Sequence, residues 1–466
     1  MKKIIALIVG TVFVVGFAVS AFAIHATIPA ETTAVVAPKD IQIKLGGEMR
    51  FRGWYESNIT DSAGAKATTG RPYDGSSMSW YDQRFRLGVD VKAGDNVSGK
   101  MTLETGVDSS STTTDVNTWG SANSYSTVRG GQRPSGLDTL LEGWLAYTGS
   151  GLLGVPSGIK IGHMPLMVGA GQFFDHRQHG DDAILFTVEP AKGTEINLIT
   201  AKLSEDTTTD NTNDIDLYTI AVVHKLDKDN SVGIDYSTVN QSNSATITNY
   251  TRLNLQNLGL NANGNMSGIG YRASADIQFG ETKTSGATPE KVKFKGYGIT
   301  LGANYNLDPV TLRASFAMGS GNKTDTADKN EAFQTLVGTI INYTVAYDYR
   351  VHTACSGSTT GTGICNTTYY NIGLTASPVK DMTVALDYFL LRATKKLTET
   401  ANSLGNKKDI GSEIDLKATY KLAKNLTYFI NSGILFADNF YKAAASGATS
   451  DPKDAVVFQH GITLSF

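Results

Sequence analysis

After Val19 the chain has no apolar run approaching the ~20 residues that a membrane-spanning helix needs. Helical spans beyond the amino terminus are thereby excluded. Proline is scarce, at 11 residues, and cysteine scarcer, at two. Two cysteines cannot staple a chain this long, and without a C-x-x-C-H motif it holds no c-type haem of its own. Charge of either sign is not in large excess. The formal net charge is −3, or −5 without Lys2 and Lys3, so nothing points to a nucleic-acid partner. The seven histidines show neither H-E-x-x-H nor a recognisable activated nucleophile, so no catalytic arrangement is expected. No cofactor is expected either.

What is abundant is glycine (48), tyrosine (20) and phenylalanine (18). Met1-Lys2-Lys3, the apolar run Ile4 to Val19 and the small-x-small end Ala21-Phe22-Ala23 read as an export signal over residues 1–23, a membrane anchor helix being the other reading. An exported, glycine-rich and aromatic-rich chain without helical spans points to β-structure. In an oxidising compartment Cys355 and Cys365, which enclose SGSTTGTGI, are expected to close a loop as a disulfide, with two free thiols as the alternative.

Twice the chain sets a phenylalanine between two arginines, in EMRFRGW (Glu48 to Trp54) and DQRFRLG (Asp82 to Gly88). On a strand, neighbouring side chains point to opposite faces, so Phe51 and Phe85 meet one medium while Arg50, Arg52, Arg84 and Arg86 meet another. The surrounding residues obey the same rule. Ile41, Ile43, Leu45, Met49 and Tyr55 alternate with Gln42, Lys44, Glu48, Trp54 and Glu56, and similar splits recur around 85–92, 100–108, 269–279, 297–307 and 413–420. Alternation alone also suits a soluble sandwich. The connectors separate the two: short ones such as KAGDN, LDKDN, NLDP and LAKN take turns with long polar ones such as Thr60 to Ser77 and Ser109 to Ser135. Short turns at one end and long loops at the other mark an all-β, transmembrane, antiparallel outer-membrane β-barrel, with lipid outside and a wet lumen inside.

The barrel is expected over 41–466, with 24–40 as a short periplasmic segment too small for the plug of an energised transporter. An even count of about 18 strands requires 321–368 to be one long extracellular loop, in which NYTVAYDYRV (Asn342 to Val351) is strand-like. Tyr55, Tyr147, Tyr236, Tyr305 and Tyr370 suit interfacial belts, or edge packing. The tail places Phe458, His460, Ile462, Leu464 and Phe466 on one face and ends on an aromatic, as the outer-membrane insertion machinery reads.

The signal segment, GGEMRFRGW, RFRLGVDV and the terminal HGITLSF resemble bacterial porins. The order LEGWLAY, GIKIGHMPL, GQFFDHRQHGDDAI resembles the alginate-export type over most of the mature chain. That resemblance implies a monomeric barrel of about 18 strands that conducts anionic solutes through an arginine-lined pore. The chain departs from it at Gly162-His163-Met164, where Gly-Arg-Gln is the family's pattern, and in carrying more lumen carboxylates.

Candidate pore-lining residues are the ladder Arg50, Arg52, Arg84 and Arg86 with Lys100, and Arg272 and Arg313 farther along, which would carry the basic lining across the barrel. Glu48, Asp82, Glu104 and Glu142 face the same lumen. Basic rings favour anions, unless the acids simply neutralise them. Residues 165–182, with Asp175, His176, Arg177 and His179, are the candidate inward-folded constriction, an ordinary external loop being the competitor. His176-x-x-His179 has a spacing common in polar loops and is not assigned a metal. The expected function is a passive channel for small polar, anionic solutes. Two alternatives remain: a sheath around a multihaem cytochrome for electron transfer, and a surface structural or adhesive barrel.

Overall fold

The computed structural model describes residues 40–59, 77–105, 137–150, 153–205, 214–242, 251–323, 326–336, 343–351, 354–355, 363–396, 407–441 and 452–466. The expected signal segment, nearly all of the short segment after it and most of the long polar connectors lie outside the described residues.

The first nine strands are β1 (Ile41–Ser57), β2 (Met78–Ala93), β3 (Val97–Thr105), β4 (Leu137–Gly149), β5 (Ser157–Met164), β6 (Asp181–Ala191), β7 (Thr194–Ser204), β8 (Ile215–Lys225) and β9 (Ser231–Ser242). Next come β10 (Thr251–Met266), β11 (Ile269–Thr284), β12 (Lys291–Phe294), β13 (Tyr297–Asn306), β14 (Val310–Gly319) and β15 (Lys329–Asn330). A one-turn helix, α1 (Tyr347–Arg350), precedes β16 (Thr367–Ala376), β17 (Met382–Ala393), β18 (Asp409–Ala423), β19 (Leu426–Ala437) and β20 (Ala455–Ser465). Strands pair antiparallel with their neighbours in sequence, and β1 pairs with both β2 and β20, which closes the sheet. The short β12 and β15 pair with each other in parallel at one rim. Among the described residues the remaining strands form a closed 18-strand barrel, as the alternation and connector rhythm predict.

Closure satisfies every ladder N–H and C=O within the wall, which is what allows a strand to cross lipid. The outer face is apolar to a degree no water-facing surface would tolerate: Leu145 is 70% exposed and Ile372 66%, with Leu45, Leu260 and Leu386 alongside. Tyr55, Tyr305 and Tyr370 are also exposed, while Tyr147 and Tyr236 are partly covered. At the short-turn end, Ser267-Gly268 joins β10 to β11 with φ of 54° and 83°, the doubly positive geometry of the tightest hairpins. Asp227 folds the β8–β9 turn by accepting the N–H groups of Asp229 (2.7 Å) and Asn230 (2.8 Å).

The buried apolar residues lie inside the barrel, toward the long-loop end. Two stretches of chain enter there. Residues 165–180 leave β5 as a small hairpin: Val168 N–H bonds Phe174 O (3.1 Å) and His176 N–H bonds Leu166 O (2.9 Å). Leu166, Val168, Phe173 and Phe174 are buried. The stretch between β14 and β16 meets it, with Leu336 N–H on Phe173 O at 2.9 Å. Inward side chains of the wall hold both. Gln278 clasps the backbone of Gln334 from both sides at 2.7 Å. Glu413 accepts three consecutive backbone N–H groups, from Val345 (2.9 Å), Ala346 (2.6 Å) and Tyr347 (2.9 Å).

That clasp corrects one expectation. The stretch read as strand-like is a bend at 343–346 followed by α1, because a carboxylate, not a neighbouring strand, satisfies its N–H groups. Parts of the long excursion turn inward, Leu336 onto the hairpin and Val345 to Tyr347 onto Glu413, while Lys329–Asn330 stays at the rim against β12, and the excursion ends at Asn366, since Thr367 and Thr368 belong to β16. Cys355 and Cys365 are joined by a disulfide. Beside it, Asn366 Nδ2 donates to Ala354 O at 2.8 Å.

Candidate functional site

The register of β1 on β2 sets Arg50 opposite Arg84, Arg52 opposite Asp82 and Glu48 opposite Arg86. Paired residues of an antiparallel ladder share a face, so all six charges enter the lumen together. Arg52 meets Asp82 in a fork, with Nε on one oxygen and Nη2 on the other, both at 2.7 Å. Asp82 also accepts Trp54 Nε1 at 2.7 Å, and the Arg52 guanidinium lies over the Trp54 ring, 4.9 Å from its centroid. Arg84 bonds Glu48 and Arg86 bonds Glu104, which sits opposite it on β3. On the next strands Lys100 pairs with Glu142 at 3.2 Å, Trp144 Nε1 donates to Glu142 at 2.9 Å, and Lys160 stacks 3.9 Å from the Trp144 centroid.

Arg50 is the exception. It lies between Arg52 on its own strand and Arg84 across the ladder, and its Nε is buried with no hydrogen-bond partner. Of the four ladder arginines it alone makes no carboxylate ion pair among the described residues. It lines a cavity of about 620 Å³ together with Arg52, Arg84, Arg86, Glu104 and Glu142. The opposite side of that cavity is supplied by the two inserted stretches, through Arg177, Gln178 and His179 and through Thr344 and Val345. Lys417, Asn431 and Gln459, on β18, β19 and β20, complete it.

The inserted hairpin is shaped by its own charges. Arg177 grips Asp175 with Nε at 2.8 Å and Nη2 at 2.6 Å. Burial pushes the Asp175 carboxyl up, but the side-chain and backbone hydrogen bonds from Arg177 outweigh it and hold the group below its ordinary value. His176 leans on Phe174 (4.3 Å between centroids) and bonds Asp181 at 2.9 Å. His163, at the position where the chain departs from the family pattern, fastens the root of the hairpin: its ring nitrogens meet Asp182 at 3.0 Å and His179 O at 2.7 Å. Among the described residues no group of three His, Cys, Asp or Glu side chains could hold a metal ion.

The structure thus brings together Arg50, Arg52, Arg84, Arg86, Glu104, Glu142 and Arg177, with Glu48, Asp82 and Lys100 as their ion-pair partners. Arg272 and Arg313 do not join them. Arg313 donates to Asp387 at 2.8 Å on the wall formed by β14, β16 and β17, and Arg272 lies near the start of β11. Sequence reasoning missed Lys417, Asn431 and Gln459. The signal was present in the expectation of closure itself, which carries the last strands round to β1.

The alginate export family profile matches residues 42–453. No match was found among curated proteins. Of solved structures, OccK9 (OpdG) of Pseudomonas aeruginosa is similar over 91% of this chain and 98% of its own, with 12% identity and a TM-score of 0.53. The outer membrane protein OpdK of the same organism is similar over the same shares, with 11% identity and a TM-score of 0.50. At such identities the likeness is one of fold. Matched from Gln42 on the first strand to Lys453 just ahead of the last, the chain belongs to the alginate export family of outer-membrane barrels.

Proposed function

We propose that the barrel is a passive channel for small polar solutes and that it prefers anions, drawn to Arg50. The observation that carries this reading is the contrast within one ladder: three arginines are neutralised by acids and the fourth faces the cavity without one. Its guanidinium stays charged at any working pH and offers a carboxylate or phosphate a fork of donors. The paired acids cap the potential, so the preference is modest, on the order of a few-fold. The family's description names alginate, a polyanion of carboxylates, and the same chemistry suits smaller carboxylates. Residues 165–180 act as the constriction that brings the solute within reach of the ladder.

Arg50→Ala should move the reversal potential in a salt gradient toward cation preference, in planar-bilayer recordings. Arg313→Ala, outside the cavity, should leave it in place. A wild-type pore that prefers cations, or an Arg50→Ala pore with an unmoved reversal potential, overturns the reading.

A further inference from the structure

The outward face of β9 to β13 carries a charge gradient that the channel does not use. Register fixes its rows. Ile234, Leu260, Ala275 and Ile299 form one apolar row, and Tyr236, Leu258, Ile277 and Tyr297 form the next toward the long-loop end. Above them the rows change character. Asn240, Asn254, Glu281 and Lys293 share a level, and Arg252, Lys283 and Lys291 share the one beyond it. The residues between them on the same strands point inward: Phe294 and Leu255 are in the buried interior and Gln278 holds an inserted stretch. β12 therefore directs Lys291 and Lys293 away from the lumen, Lys295 follows just after the strand, and all three are exposed.

The patch holds Arg252, Lys283, Lys291, Lys293 and Lys295 around one carboxylate, Glu281. That acid is shared between Lys283 at 3.2 Å and Lys291 at 4.0 Å. Arg252, Lys293 and Lys295 make no ion pair among the described residues. A recess of about 690 Å³ is lined by Arg252, Asn254, Glu281, Lys283, Lys293 and Lys295, with Asn240, Gln241, Leu253 and Gly280 completing it. Five cations set above an aliphatic and tyrosine band, across one intervening row of Thr238, Gln256 and Phe279, on the lipid side of the wall, match a ligand that is apolar below and multiply anionic above.

We propose that this patch docks the phosphorylated headgroup of an outer-leaflet glycolipid, its acyl chains lying along the Ile234 to Ile299 rows and its phosphates in the basic recess. Cations near an anionic lipid surface each strengthen binding by about fivefold, so three together contribute roughly a hundredfold. The proposal does not depend on which ion the pore prefers, since the patch and the cavity lie on opposite faces of the wall.

The test titrates the purified full chain in neutral detergent with bisphosphorylated lipid A and with its dephosphorylated form, read by native mass spectrometry. Tighter binding of the phosphorylated lipid is expected, with K291Q/K293Q/K295Q weakening it roughly a hundredfold. The triple variant should keep the heat-modifiable gel shift of a folded barrel and the wild-type conductance and reversal potential. Should it fail to fold, Lys293→Glu alone should still weaken binding by more than fivefold. Equal binding of both lipids, or undiminished binding by a folded variant, overturns the proposal. So does a variant with altered reversal potential, or displacement of the lipid by inorganic phosphate at comparable concentration, because either result assigns the patch to solute capture.

Discussion

At the scale of single residues, the lumen separates charges that neutralise each other from a charge left without an acid partner among the described residues. Asp82 shows the first kind: it takes the Arg52 fork and the Trp54 indole, so its charge is fully engaged and its loss would strand both donors. Arg50 shows the second. The Asp175–Arg177 pair has a third role, fixing the bend of the inserted hairpin, and it makes a testable pH statement. Because the Asp175 carboxyl is held below its ordinary value in the folded protein, its contribution is fully present above that ordinary value, about 3.9. It fades only as pH falls through the lower, folded one. Conductance should therefore be insensitive to this pair from pH 8 to about 4.5 and change only in stronger acid. Asp175→Asn should show the acid behaviour at pH 7. The pair is worth at most about 1 kcal/mol, since Arg177 is mostly exposed. A wild-type transition between pH 5 and 6 that survives in Asp175→Asn would assign the effect to other groups.

At the scale of elements, the wall and the inserted stretches obey different rules, and that decides what could be read in the sequence. A wall strand has a period of two and a partner close along the chain, so Phe51 between Arg50 and Arg52 already announces the two media. An inserted stretch has no such period. Residues 165–180 close locally on themselves, but in the stretch between β14 and β16 backbone bonds go to single side chains far away, Gln278 for Gln334 and Glu413 for Val345 to Tyr347, and no local pattern reveals them. The polar face of β18 was visible as Glu413, Asp415 and Lys417, but only the fold shows that Glu413 clasps a loop while Lys417 faces the cavity. This clasp supports a second expectation. Gln at position 413 keeps the size of the side chain but offers one acceptor oxygen and sets an NH2 group against the remaining N–H groups. Losing one or two of the three bonds costs about 1 kcal/mol each. Glu413→Gln should therefore speed hydrogen exchange at 345–347 and raise single-channel conductance, while the barrel keeps its gel shift. Unchanged exchange at those amides would show that packing of Tyr347 and the Cys355–Cys365 loop, not the carboxylate, holds the stretch in place.

At the scale of the whole molecule, closure joins the two ends of the barrel sequence in one seam, and the cavity around Arg50 borders it. The seam brings Gln459 of β20 beside Trp54 of β1, completing the cavity around Arg50. It was legible as a consequence of an even strand count, whereas the side chains it would bring together were not, because β1 and β20 are separated by nearly the entire chain. Its last link is Phe466. The terminal residue exchanges two backbone hydrogen bonds with Gly47, at 2.8 and 3.1 Å, and its ring covers the space where a side chain on Gly47 would stand. A Cβ at Gly47 would come within 2.6 Å of both the Phe466 ring and the Arg86 carbonyl, so glycine is required there by close approach alone. Deleting Phe466 removes both bonds and exposes a free ladder edge where closure must begin, and an unpaired edge in lipid is costly. The cavity begins three residues farther along β1, at Arg50, but its lumen-side ion pairs are made between side chains of β1, β2 and β3 and do not use Phe466, so they should survive its loss. Deletion of Phe466 should therefore reduce the heat-modifiable, membrane-inserted fraction several-fold, as should Gly47→Val, while the molecules that do insert keep wild-type conductance and reversal potential. Normal membrane levels of the truncated chain would show that the seam closes without its last residue, and altered selectivity in inserted molecules would show that the seam and the cavity are coupled.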